Sequence, residues 1–141
     1  MSQLAEDALV TLLVQWIAAH RPADIPASVP VLGAVRDELR TRPCIVLETS
    51  EARSVSAMAG TFRMKLDVHL FSQTDDTPAA AHASMAAALD SLLGDSAAII
   101  AATGSQDFLL HALIPRETST VPDESRGRET VLSFEAVVSA G

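Results

Sequence analysis

Thr61-Phe62-Arg63-Met64-Lys65-Leu66-Asp67-Val68-His69-Leu70-Phe71 is the stretch on which the fold turns. Phe62, Met64, Leu66, Val68 and Leu70 fall on one face, and Arg63, Lys65, Asp67 and His69 on the other. Such an alternation of period two fits a strand with one face on a core and one in water, the situation of antiparallel sheets. Before it, Cys44-Ile45-Val46-Leu47-Glu48 is β-rich. Val29-Pro30-Val31-Leu32 reads as a short edge strand, because its proline cannot complete a ladder. After it, Thr130, Leu132, Phe134, Ala136 and Val138 alternate with Val131, Ser133, Glu135 and Val137, and Phe108 to Ile114 supplies a pairing partner.

Helical signals fill the gaps between these strands. From Leu4 to Ala19, the residues Leu9, Leu12, Leu13, Trp16 and Ile17 recur at helical spacing; Ser2 precedes them as a cap and Pro22 ends the run. Val10 and Val14 widen the apolar stripe. Either they are tolerated surface valines, or a second subunit covers them. Pro78 to Leu93 forms a second helix, capped by Thr77 and stopped at Gly94, with Ala81, Met85, Leu89 and Leu92 as its buried face. Ser96 to Ala102 forms a shorter third, and Asp37 to Arg40 a single turn. Ser50 to Gly60 is small and polar and reads as a mobile hairpin loop. The expected architecture is α+β: an antiparallel, at most mixed, four- to five-stranded sheet with helices packed on one face. Residues 1–141 make one domain, with a polar arm at 115–128 that is either an outward extension of the strands or a flexible, disordered loop.

Composition narrows the function. Ten Lys+Arg against eighteen Asp+Glu give a net charge of −8, which disfavours a general nucleic-acid binder. The lone Cys44 reads as a buried small hydrophobe, and one cysteine makes no internal disulfide or zinc site. Glu6 and Asp7 stand where a signal peptide would carry basic residues, and Thr11 and Gln15 interrupt the apolar run behind them. The chain is therefore expected to be soluble and intracellular when made. No G-x-S-x-G, P-loop, G-x-G-x-x-G or H-E-x-x-H sequence is present. Gly104-Ser105 is a turn before it is a nucleophile. Asp67, His69 and His111 could align as metal ligands, but Arg63 and Lys65 beside them favour a solvated polar face. Asp75 and Asp76, near His82, are better explained as acids at a helix start. No catalytic, cofactor-binding or metal site is expected.

The order of elements resembles a known family. The apolar N-terminal helix leads to Arg42-Pro43-Cys44-Ile45-Val46-Leu47-Glu48, then to the alternating strand Phe62 to Phe71. After the alanine-rich helix, the polar arm runs into Arg126-Gly127-Arg128-Glu129-Thr130-Val131-Leu132-Ser133-Phe134-Glu135-Ala136-Val137-Val138. Over nearly its whole length this pattern is similar to the tail terminator (tail completion) proteins of long-tailed bacteriophages. The likeness is of pattern and length rather than of a sharp motif. It implies a non-enzymatic structural protein without cofactor that forms a hexameric ring on the tail tube. That ring stops tube growth and joins the tube to the head-side connector, or stopper, protein while DNA passes through its lumen unbound. The implied location is the virion, at the neck-proximal end of the tail, after synthesis in the host cytoplasm.

Self-assembly into a ring needs two different complementary patches on each copy. Val10 and Val14 offer an apolar one. Arg63, Lys65, Asp67 and His69 offer a polar counterpart. Arg116, Glu117, Asp123, Glu124, Arg126 and Arg128 on the arm suit docking to a partner ring. Three rival functions stay open: another phage neck or head–tail joining protein, a small ligand-binding or enzymatic α+β domain built around His69, and a sheet-edge adaptor.

Overall fold

The alternating stretch is a 13-residue strand, Thr61–Gln73, and Met64, Leu66, Val68 and Leu70 are buried as its inner face. In chain order the computed structural model runs α1 (Ser2–Ala19), β1 (Val31–Gly33), β2 (Cys44–Thr49), β3 (Arg53–Ser54), β4 (Thr61–Gln73), α2 (Ala79–Gly94), α3 (Ser96–Ala102), β5 (Phe108–Asp123) and β6 (Gly127–Ala140). The described residues are 2–33, 43–50, 52–55, 60–73, 77–102, 108–123 and 127–140. The turn expected at Asp37 to Arg40 lies outside them, as do Asp75, Asp76, Gly104 and Ser105.

The strands form one six-stranded sheet in the order β1-β2-β4-β6-β5, with β3 paired to β4 off that path. It is thus larger than the four to five strands expected. The extra strand is Arg53–Ser54, inside the stretch read as a loop; both residues are exposed, so no apolar period marks them. Gly60, at a φ of 78°, turns the chain from β3 into β4. The sheet is mixed through one parallel pair: Val31, Leu32 and Gly33 of β1 lie against Ile45, Val46 and Leu47 of β2. All other pairings are antiparallel.

Every helix delivers side chains to the same core. Leu9, Leu13 and Ile17 of α1, Met85, Leu89 and Leu93 of α2, and Ile99 of α3 cluster with the inner residues of β2, β4, β5 and β6. The inner face of α2 is His82, Met85, Leu89 and Leu93, not Ala81 and Leu92. That set keeps a helical spacing of three, four and four, but it begins with a histidine, which a count of apolar residues passes over. The helix also starts one residue later than expected, with extended Pro78 at the cap position and no side-chain cap.

Of the two alternatives for the polar arm, the described residues take the extended one. β5 continues through Pro115 to Asp123, and its pairing with β6 runs from Phe108↔Ala140 to Asp123↔Gly127. Irregularities between Leu110 and Ala112 and between Pro115 and Glu117 shift the register, the second directly after a proline that has no N–H for the ladder.

Gly33 sits where α1 crosses β1. A Cβ there would stand 2.6 Å from Val10 Cγ1, and a valine methyl has no flexible end with which to yield. Gly33→Ala is expected to cost about 1–3 kcal/mol by overpacking. The measurement is a lowered urea midpoint at unchanged m-value, with most of the loss recovered in the Gly33→Ala/Val10→Ala double variant.

Candidate functional site

Odd-numbered residues of β4 and β6 face away from the helices, and this outer face holds most of the charge the sequence set aside. Lys65 lies opposite Glu135, Asp67 opposite Ser133, His69 opposite Val131, and Phe71 opposite Glu129. The Ser133 hydroxyl donates to Asp67 Oδ1 at 2.7 Å. His69 Nδ1 donates to Glu129 Oε2 at 2.6 Å, and its Nε2 lies 3.3 Å from Glu48 Oε1 without a hydrogen bond. The Phe71 ring stacks on the imidazole at 5.8 Å. His111 is elsewhere, bonded to Ser139 at 2.8 Å. The structure therefore does not bring Asp67, His69 and His111 together. Among the described residues no group of three His, Cys, Asp or Glu side chains could hold a metal ion.

Beside this row lies a cleft of about 390 Å³, lined by Arg53, Arg63, Lys65, Arg116 and Glu135 over Phe134. Glu135 is its hub. Arg63 Nε reaches Glu135 Oε2 at 2.8 Å, and Arg116 donates to Oε1. The hydrogen bond from Arg116, then the charges of Arg116 and Arg63, hold this carboxyl below its ordinary value. Arg53 lies directly opposite Arg63 across the β3–β4 pair, an arrangement of like charges that costs stability. Neither Arg53 nor Lys65 has a carboxylate partner among the described residues.

A second polar cluster is internal. His82, 3% exposed, bonds Ser72 Oγ through Nδ1 at 2.6 Å and Thr130 Oγ1 through Nε2 at 2.7 Å. Thr130 in turn meets Thr120 Oγ1 at 2.8 Å. Burial, and secondarily the charge of Arg128, push the imidazole below its ordinary value, so it is neutral at pH 7. A serine bonded to a histidine is the arrangement of a nucleophile and its base. Here, however, Ser72, His82 and Thr130 are all buried, and the second imidazole nitrogen meets a hydroxyl rather than an orienting carboxylate. The cluster instead ties α2 to β4, β6 and β5. Arg128 joins the same tie by donating to Thr77 O at 2.9 Å, just ahead of α2.

The structure places three more of the residues expected at an interface. Val10 and Val14 are half-buried over β1, and Glu117 is exposed on β5. Asp123 ends β5, while Glu124 and Arg126 lie outside the described residues. The alternation of β6 already assigned Glu135 to the outer face, but Arg53 carried no signal, and neither did the cross-strand meeting of Ser72, His82 and Thr130.

No family model and no curated protein matches this sequence. Among solved structures, a chain of the "Virion of native gene transfer agent (GTA) particle" superposes with a TM-score of 0.69 at 18% identity. The match covers 94% of this chain and 95% of that one, so the two share a whole fold rather than a fragment.

Proposed function

We propose that this protein is a structural component of a phage-like virion: a ring-forming tail terminator that caps the tail tube and joins it to the head-side connector. The observation that carries the reading is the fold shared with a chain of a gene transfer agent virion over 94% of this chain and 95% of that one. The order of elements, which resembles the tail terminators of long-tailed phages, supports the finer role. A structural rather than catalytic role also fits the Ser72–His82 pair, in which both side chains are buried away from solvent.

In this role the partners are other copies of the chain, the tail tube protein and the connector, and DNA passes through the lumen without specific binding. The excess of acidic residues suits that passage, because a negative wall repels phosphate. Arg63, Lys65, Asp67 and His69 on β4, with Arg116 and Glu117 on β5, supply polar contacts whose mixed signs set register more than affinity. The hairpin of β5 and β6 presents its far end to a neighbouring ring.

Native mass spectrometry and negative-stain imaging, with and without purified tail tubes, test the proposal. The expected result is a hexameric ring, free or seated on tube ends, and tubes that stop elongating. A chain that stays monomeric and neither binds nor arrests tubes overturns it. Rings that bind the connector but never the tube assign the chain to the neck instead.

A further inference from the structure

We propose that the cationic cleft on the outer sheet face receives the acidic C-terminal end of α2 from the next copy of this chain. The inference rests on the ring reading above and names the contact that would build the ring.

Two electrostatic costs within the single chain motivate it. The first is the cleft. Arg53, Arg63, Lys65 and Arg116 line it together with a single carboxylate, Glu135, and Arg53 faces Arg63 directly. Arg63 and Arg116 share Glu135, which leaves Arg53 and Lys65 unpaired among the described residues. Setting those five residues aside leaves six Lys+Arg against seventeen Asp+Glu in the rest of the chain, so the cleft is a positive island on a negative molecule.

The second cost is at the end of α2. A helix C-terminus carries partial negative charge and favours a cation. This helix has no basic residue in its last turn. Exposed Asp90 adds negative charge there instead, and exposed Asp95 follows it between α2 and α3, where the start of α3 accommodates its carboxylate; neither has a cationic partner among the described residues. Gly94 beside them has open space around it, so another surface can approach closely.

The two poles are of opposite sign and lie on opposite layers of the molecule. α2 sits on the inner face through His82, Met85 and Leu89, and the cleft is on the outer face. A contact between them is heterologous: it propagates head to tail and ends in a ring when the rotation closes. Carboxylates suit the cleft better than phosphates do. Arg63 and Arg116 already donate to one carboxylate, that of Glu135, and the surrounding negative charge repels a nucleic-acid backbone.

The test uses the full chain and its oligomeric state by native mass spectrometry and sedimentation at low and high salt. Arg53→Glu/Lys65→Glu and Asp90→Lys/Asp95→Lys are each expected to weaken self-association by about tenfold or more, with unchanged circular dichroism. Wild-type association is expected to weaken as salt rises. Mixing the two variants, or combining all four changes in one chain, is expected to restore assembly, because every contact then again joins opposite charges. Milder Arg53→Gln/Lys65→Gln covers the case in which the reversal misfolds, with the same loss expected. Unchanged association in these variants, or no restoration on mixing, overturns the inference while leaving the ring intact. A wild-type chain that stays monomeric in solution also overturns the inference, although the terminator reading then still has its own test on tubes. Loss of binding to duplex DNA, with self-association unaffected, would reassign the cleft to phosphate and also overturn it.

Discussion

Replacing Phe134 with alanine is expected to lower the unfolding free energy by about 3–5 kcal/mol. Phe134 is 1% exposed and ranks among the largest fully buried side chains. It sits in β6, between Leu66 of β4 and Pro115 of β5, so its ring fills space beneath the two longest pairings of the sheet. Truncation removes the transfer free energy of the ring and leaves a cavity that strands fixed on both sides cannot collapse. Calorimetry is expected to show a fall in Tm of roughly 10–20 °C. Phe134→Leu, which keeps most of the volume, is expected to cost only about 1–1.5 kcal/mol. A loss under about 1 kcal/mol in Phe134→Ala would contradict the packing described.

The second large effect is at His82. His82→Leu is expected to cost about 2–4 kcal/mol, because it strands the buried Ser72 hydroxyl and leaves Thr130 with Thr120 alone. The double variant His82→Leu/Ser72→Ala is expected to be more stable than His82→Leu, since the orphaned oxygen goes with the serine. Strict additivity in that cycle would mean the hydrogen bond is not formed. His82 also predicts a pH dependence. Its folded-state value lies below the ordinary 6.5, so the unfolded chain takes up a proton that the native imidazole refuses. Stability is then undiminished above pH 6.5 and declines as the pH falls below it, until the native imidazole itself protonates. His82→Gln is expected to lose that part of the slope, seen in denaturant titrations between about pH 7 and 5. Glu135 acts lower down: held below 4.5 in the folded chain, it contributes stability that is lost as the pH drops through and beneath that value.

The sequence disclosed most where one local period governed the outcome. β4 and β6 each present a dry and a wet face, and their alternation assigned every inner residue from Met64 to Leu70 and from Leu132 to Val138 correctly. The inner face of α2 was misjudged by one position at either end. His82 behaves as a core residue only because Ser72 and Thr130, far away in sequence, satisfy its nitrogens. Arg53–Ser54 escaped notice for a related reason: both residues are exposed, and only pairing with β4 makes them a strand. The outer polar row was legible as a set, since Arg63, Lys65, Asp67 and His69 alternate with core residues. Their partners were not, because Glu135, Ser133 and Glu129 arrive from a strand more than 55 residues later. Legibility in this chain ended where a side chain's role depends on a distant neighbour.

The place of β6 in the sheet has a consequence for synthesis on the ribosome. It follows every other described strand in sequence, yet it lies between β4 and β5, and its pairings with β4 join residues 54 to 78 positions apart. Until β6 has emerged, the nascent chain holds β4 with one long edge of bare N–H and C=O groups. That makes the incomplete chain prone to sticking and slow to consolidate. A product truncated before Gly127 therefore lacks the centre of its sheet and cannot enter an assembly as a well-folded but defective subunit.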